Sequence, residues 1–387
     1  MKVLITTDFY EPTVNGVVTS VLNLRKELRL RGHEVRILTM SPTMHSFLRG
    51  DVTYIGSVGA GKIYPGARIQ AAIASSYIQD IIGWKPDVVH SQCEFFTFFL
   101  ALKISRQLNI PVVHTYHTVY EDYTHYFSPN KRWGRYMVAR LSRWVLEKTD
   151  CIIVPTEKVR MILQGYGVDR SIRVIPTGID LGRFAVSADT EKLNQSLGIP
   201  EGNRILLYVG RLAREKNLEE IMIYFSKIRH ERLTFLIVGD GPYRTELEKT
   251  AVRLGIEKNV VFTGMISPER IAPYYHLGDL FVSASGSETQ GLTYAEALAS
   301  GLPALCRKDT CLSGVIRNGW NGWQYENESD FFEKLDSFFA SDELRQDMSD
   351  NAQKAAGMRF SAASFAGNAE QVYADAVSCR ARWAGVA

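Results

Sequence analysis

Short β-branched runs alternate with helix-patterned segments along nearly the whole chain, and no other feature restricts the fold as much. The first series of strand-like runs is Val3–Thr6, Val35–Met40, Val88–His90, Val112–Tyr116, Cys151–Pro155 and Arg173–Ile175. A second follows at Ile205–Gly210, Thr234–Gly239, Val260–Gly264, Leu280–Ala284 and Ala304–Cys306. Segments between them, such as Val18–Leu30 and Leu218–Ile228, have helical spacing. Parallel strands need long crossovers, usually helices, so this alternation predicts an α/β protein whose parallel sheets carry helices on both faces. Two series in 387 residues predict two doubly wound, Rossmann-like domains, each large enough for its own core. The break falls near Ile175–Phe184 and the polar stretch Ser187–Ser196, giving domains over 1–180 and 181–360. A helix-rich tail, 361–387, is expected to pack back on the first domain. Open α/β sheets bind ligands beyond the carboxyl ends of their strands, so the cleft faced by both domains is the expected site.

Composition narrows the class. With 45% hydrophobic and 22% charged residues and no repeat, the chain reads as a globular enzyme-sized protein. Its five cysteines are scattered and form no C-x-x-C pair, which argues against a disulfide scaffold or structural zinc and for a reducing cytoplasm. No apolar run approaches the roughly 18–20 residues that span a bilayer. The opening MKVLITTDFY, interrupted by Asp8, reads as a first strand, and the apolar run between Glu94 and Lys103 as a buried helix. Residues 1–185 carry 23 Lys+Arg against 15 Asp+Glu, while 186–387 carry 22 against 27. A first half at +8 beside a second half at −5 suits an anionic partner on the first half, or two domains that simply differ in composition. Nucleic acid is not expected as that partner.

Several motifs carry chemistry. In DFYEPTVNGVVTSV, Asn15-Gly16 permits a tight turn before a helix whose first N–H groups could meet an anion, though G-x-G-x-x-G is absent. In VGRLAREKNLEE, Asn217 and Glu220 have the spacing of a capping pair. Arg211 and Lys216 then lie near a helix N-terminus, an unfavourable place for cations unless an anion such as a diphosphate sits between them. His114 and His117 close a strand in VVHTYHTVYEDY, with no partner spaced to make a metal site. In SGSETQGLTYAEALASGLP, Glu288 lies in a small-residue loop and Glu296 within a short helix bounded by Gly291 and Gly301. Leu292, Ala295, Glu296 and Ala299 share one side of that helix, so Glu296 either finds a ligand or reaches water from the stripe's edge. No D-x-D triplet occurs, so the charge of a leaving phosphate would be met by Arg, Lys and helix ends, with no metal and no cofactor.

Together these motifs resemble the retaining glycosyltransferases of family 4, which have the two-domain GT-B fold. Glu288 and Glu296 match the ends of that family's Glu, seven residues, Glu signature, and Gly210, Arg211 and Lys216 match its G-R-x-x-x-x-K. Thr115-Tyr116-His117 matches T-x-H, and Gly16 the glycine of the first loop. One departure is Gln290, where E-x-F-G-L has phenylalanine, which touches donor-sugar contacts. The resemblance implies retaining transfer of a hexose from a nucleotide sugar, making an α-linkage. Arg211 and Lys216 would stabilise the leaving diphosphate, Glu296 would accept from the ribose hydroxyls and Glu288 from the sugar hydroxyls. The amides of Gln290, Gly291 and Leu292 would hold sugar and diphosphate, and His117 would hydrogen-bond the donor sugar. With no nucleophile placed, the resemblance favours a front-face mechanism assisted by the leaving phosphate.

The acceptor is addressed by Asn130–Asp150. On a helical wheel Trp133, Met137, Leu141, Trp144 and Val145 fall within roughly 120°, with Arg132, Arg135, Arg140 and Arg143 opposite. Such a helix either packs its apolar side on the core or docks on an anionic membrane. Within family 4 the motifs are similar to those of bacterial diacylglycerol α-glucosyltransferases, which implies a UDP-sugar donor, UDP-glucose by that resemblance, a diacylglycerol acceptor and a cytoplasmic protein held at the inner membrane face. The alternatives are a family 4 enzyme acting on a soluble sugar or polysaccharide intermediate, a nucleotide-sugar epimerase of GT-B fold, and a silent membrane-binding module. Oligomeric state, glucose against galactose and UDP against GDP are left open.

Overall fold

The computed structural model describes residues 1–60, 68–71, 75–121, 130–185, 189–228 and 232–384. Positions 122–127 of the His/Tyr-rich motif and 187–188 of the polar linker lie outside these described residues. Contacts divide the chain into two units, Met1–Gly178 with Ala362–Ala387, and Ile179–Ser361.

The first unit opens with β1 (Lys2–Thr7), α1 (Gly16–Leu30), β2 (Glu34–Met40), β3 (Phe47–Arg49) and β4 (Val52–Ile55). A small hairpin of β5 (Ser57–Gly59) and β6 (Arg68–Gln70) precedes α2 (Ser75–Trp84) and β7 (Val88–Ser91). Then come α3 (Phe96–Leu108), β8 (Val112–Thr115), α4 (Lys131–Leu146), β9 (Cys151–Val154), α5 (Glu157–Gly165) and β10 (Ile172–Val174). The strands order as β10-β9-β8-β7-β1-β2-β4-β3, parallel except for β3. Strand alternation sends Val3 and Ile5 to one face with Val21 and Leu24 of α1, and Leu4 to the other with Ile78 and Phe98.

The second unit begins with two short helices, α6 (Leu181–Ala185) and α7 (Glu191–Ser196), before β11 (Arg204–Val209) and α8 (Leu218–Phe225). It continues through β12 (Leu233–Val238), α9 (Arg244–Leu254), β13 (Val260–Gly264), α10 (Ala272–Leu277) and β14 (Leu280–Ser283). It ends with α11 (Leu292–Ala299), β15 (Ala304–Arg307), β16 (Gly322–Tyr325), α12 (Glu328–Ala340) and α13 (Asp342–Arg359). All six strands are parallel, in the order β13-β12-β11-β14-β15-β16. Leu207 and Val209 face Ala295 and Leu298 of α11, while Leu206 and Tyr208 face Ile221 of α8 and Leu247 of α9.

The last helix, α14 (Ala362–Ala384), belongs to the first unit. Phe365, Ala369, Val372 and Tyr373 join the α1 face of the first core. Arg380 bonds both oxygens of Asp150 at 2.8 and 3.0 Å, and buried His90 bridges Tyr373 at 2.6 Å and Thr115 at 2.7 Å.

In each sheet the chain builds outward on one side of the first strand and then crosses to the other. The two switch points lie between β1 and β7 and between β11 and β14. Beside the second switch point, the ends of β11 and β12 are tightly packed. Gly239, at φ +138°, has its missing Cβ only 2.0 Å from the Gly210 carbonyl oxygen. Gly239→Ala would clash with main chain that cannot rotate away, costing about 1–3 kcal/mol. A lower Tm in thermal unfolding is the expected result; an unchanged Tm would show that the two loops are not held this closely.

Candidate active site

In the second unit the loops after β11 and β14 flank the switch point, the ordinary ligand position in open α/β sheets. After β11 the chain passes Gly210 and Arg211, makes one 3-10 turn over Arg214–Lys216, and enters α8 through Asn217. Asn217 is left-handed (φ 51°, ψ 37°) and its side chain caps no helix N–H. The expected capping pair is therefore absent: the Asn217 amide donates to Glu220 at 2.9 Å instead. Glu220 also accepts from Arg307, at the end of β15, and from the Tyr325 hydroxyl at 2.8 Å, at the end of β16. Two strand ends, through Glu220, thus fix the turn that presents Lys216.

Lys216 donates to Glu288 at 2.6 Å, with both side chains largely buried. Burial opposes the ammonium charge, but the Glu288 carboxylate outweighs it and holds Lys216 above its ordinary pKa. Arg211 pairs with Glu215, whose backbone carbonyl accepts from Ser287 Oγ at 3.3 Å. The two cations expected around an anion are brought to this switch point, each with a protein carboxylate beside it.

The loop after β14 carries Glu288 and the buried Gln290, then turns through Gly291 into α11. Gly291 is left-handed (φ 74°), and a Cβ there would lie 2.6 Å from the Tyr294 ring. Leu292 is the first residue of α11. Glu296 lies on the predicted side with the buried Ala295 and Ala299, and is itself half-buried. Its carboxylate accepts from Tyr275 at 2.6 Å. Burial pushes its pKa up to about 7, offset in part by Tyr275 and by Arg183.

In the first unit the loop after β1 turns at Glu11–Pro12, not at Asn15-Gly16. Asn15 caps α1 by accepting from Val18 N at 2.9 Å, and Gly16 is the helix's first residue. β8 ends at Thr115, and His117 beyond it donates to Gln92 Oε1 at 2.7 Å. Burial, with His114 nearby, lowers the His117 pKa to about 3, so the ring is neutral. The same strand ends hold two carboxylates to which no site role was assigned from sequence. Asp8 accepts from Thr97 N at 2.9 Å, its pKa raised by burial to about 6, and Glu94 accepts from His114 at 3.3 Å and from Tyr120. A carboxylate within a few residues of a predicted strand's carboxyl end, as at Asp8 and Glu94, is the available signal.

α4 departs from its wheel. Its inward stripe is Gly134, Val138, Ser142, Val145 and Leu146. Of the predicted apolar group only Val145 is buried; Trp133 (62%), Met137, Leu141 (52%) and Trp144 are exposed, as are Arg132, Arg135, Arg140 and Arg143. Small residues serve the core side, which releases the large apolar ones outward. Trp144 leans on exposed Phe99 at 6.0 Å, and Lys148 lies 4.4 Å above its ring. Phe95 and Phe99 are likewise outside the buried helix face expected for them.

Comparison with known proteins follows the same division. Residues 14–183 match Glycosyltransferase Family 4 and residues 189–355 match Glycosyl transferases group 1. The alpha-monoglucosyldiacylglycerol synthase of Streptococcus pneumoniae is 36% identical over 97% of this chain and 86% of its own length. That of Acholeplasma laidlawii is 31% identical over 91% and 92%. Among solved structures, sucrose-phosphate synthase of Thermosynechococcus elongatus superposes with TM-score 0.80 at 19% identity, covering 98% of this chain and 99% of its own. HepE of Anabaena, solved with UDP-glucose, gives 0.75 at 19% identity, covering 98% and 100%. The fold is GT-B, and the protein is a glycosyltransferase. The chain belongs to glycosyltransferase family 4. Among the described residues, no helix is long and apolar enough to cross a membrane.

The raised Glu296 pKa has a signed consequence. Between the unfolded value near 4.5 and about 7 the folded state holds the proton more tightly, so stability falls as pH rises through that window. Glu296→Gln should therefore raise Tm at pH 8 and lose that advantage toward pH 4.5. An advantage independent of pH would contradict the burial of this carboxyl.

Proposed function

We propose that this chain transfers glucose from UDP-glucose to the free hydroxyl of diacylglycerol with retention, at an anionic membrane surface and without a metal ion. The outward face of α4 carries the reading: large apolar side chains lie exposed among four arginines, an arrangement suited to a bilayer interface. A soluble sugar acceptor would give that face no work. The names of the two synthases support the acceptor, and the UDP-glucose in HepE supports the donor.

Arg211 and Lys216 would meet the diphosphate, Lys216 exchanging part of its contact with Glu288 for phosphate oxygen as charge builds on the leaving group. Glu296 would accept from the ribose hydroxyls, which favours its ionised form, and Glu288 would accept from the sugar hydroxyls. The amides of Gln290, Gly291 and Leu292 sit where α11 begins and would hold sugar and diphosphate. His117, neutral at physiological pH, would hydrogen-bond the transferred sugar, and the Gly16 loop would leave room for the donor. In the front-face step the bond from the anomeric carbon to phosphate breaks while the bond to the acceptor oxygen forms on the same side. The acceptor proton passes to the departing phosphate, so atoms and charge balance without a protein nucleophile.

The test uses labelled UDP-glucose with vesicles of phosphatidylglycerol and diacylglycerol. Label is expected in the lipid phase as an α-glucoside, at a rate unchanged by EDTA. Converting Arg132, Arg135, Arg140 and Arg143 together to glutamine should reduce co-sedimentation with these vesicles. Turnover indifferent to lipid, sugar-nucleotide interconversion without a glycoside, or loss of activity in EDTA would overturn the reading.

A further inference from the structure

We propose that Glu94 binds the acceptor's hydroxyl, at the head of an aromatic path that takes the acceptor's acyl chains. This rests on the lipid-acceptor reading above and gives it a place in the first unit. Glu94 follows β7 beside the first sheet's switch point, the position at which that sheet would present a ligand group. Its side chain is almost wholly buried, and its oxygens accept from His114 at 3.3 Å and from Tyr120. A carboxylate has about four acceptor positions, and the two donors found among the described residues fill two. Burying a carboxylate is costly unless its hydrogen-bonding capacity is filled, so the remaining capacity asks for a donor such as an alcohol.

The surroundings are those of an apolar ligand with one polar end. Phe95, 43% exposed, meets the Tyr120 ring edge-on at 5.9 Å. Phe98 packs on His114 at 5.6 Å and on Phe99 at 6.1 Å. Phe99, 49% exposed, meets Trp144, where the outward face of α4 begins. Aromatic side chains thus lead from the carboxylate, through the buried His114 and Phe98, to the exposed Phe99 and Trp144, whose ring lies beneath Lys148. A diacylglycerol fits this order: its hydroxyl at Glu94, its chains along Phe95, Phe99 and Trp144. The basic residues of α4 face the anionic headgroups of the neighbouring lipids.

The test compares wild type, Glu94→Gln and Phe99→Ser with dioleoylglycerol in phosphatidylglycerol vesicles and with dioctanoylglycerol, and measures UDP affinity by calorimetry. Glu94→Gln is expected to lower kcat/KM for both acceptors about tenfold or more, with the Kd for UDP within about twofold of wild type. Phe99→Ser, at an exposed position, should keep the wild-type Tm and raise KM more for the long-chain acceptor than for the short one. An unchanged acceptor KM in Phe99→Ser, or a loss in Glu94→Gln shared equally by UDP binding, overturns the assignment. If Glu94→Gln fails to fold, Phe99→Ser decides. Wild type that transfers nothing to either diacylglycerol removes the lipid-acceptor reading itself, a failure distinct from normal transfer by Glu94→Gln.

Discussion

The ion pair between Lys216 and Glu288 joins two loops that leave adjacent parallel strands, β11 and β14, in opposite directions of chain winding. It is the contact on which the proposed donor site depends. A largely buried lysine is tolerable only beside an opposite charge, and Glu288 supplies it from 72 residues away in sequence. The turn before α8 is fixed independently, by Asn217 and Arg307 on Glu220 and by Tyr325 behind them. Lys216 is thus presented from a rigid frame. In the proposed function its partner would be exchanged: a diphosphate offers more negative charge than one carboxylate, while a sugar hydroxyl would occupy the oxygen that Lys216 releases.

Much of this was legible in the chain. The buried strands of both sheets are β-branched and largely apolar, so β1, β8, β11 and β12 appear in sequence within a residue or two of their ends. The β3–β4 pair, the hairpin of β5 and β6, and β16 were not visible, because they are three or four residues long and owe their strand state to a neighbouring edge. α11 was found with its bounds because Gly291 and Gly301 both take left-handed backbone.

Side-chain partners were harder to see. Asn217-x-x-Glu220 has capping spacing, but Arg307 and Tyr325 draw Glu220 toward the sheet, and Asn217 follows it. The wheel of α4 gave the right segregation for a helix on a thick core. Here a narrow stripe of Gly134, Val138 and Ser142 lets the helix sit close, and the tryptophans turn outward. Glu94 lies 20 or more residues from His114 and Tyr120 in sequence and meets them only because β7 pairs with β8.

Calorimetric titration of UDP into wild type, Lys216→Met and Glu288→Gln at one ionic strength is the most direct test of the donor site. Lys216→Met should weaken binding about tenfold or more. Glu288→Gln should bind UDP as tightly as wild type or more so, because the carboxylate competing for the ammonium is gone. Wild-type UDP affinity in Lys216→Met, with its fold intact, would contradict the account.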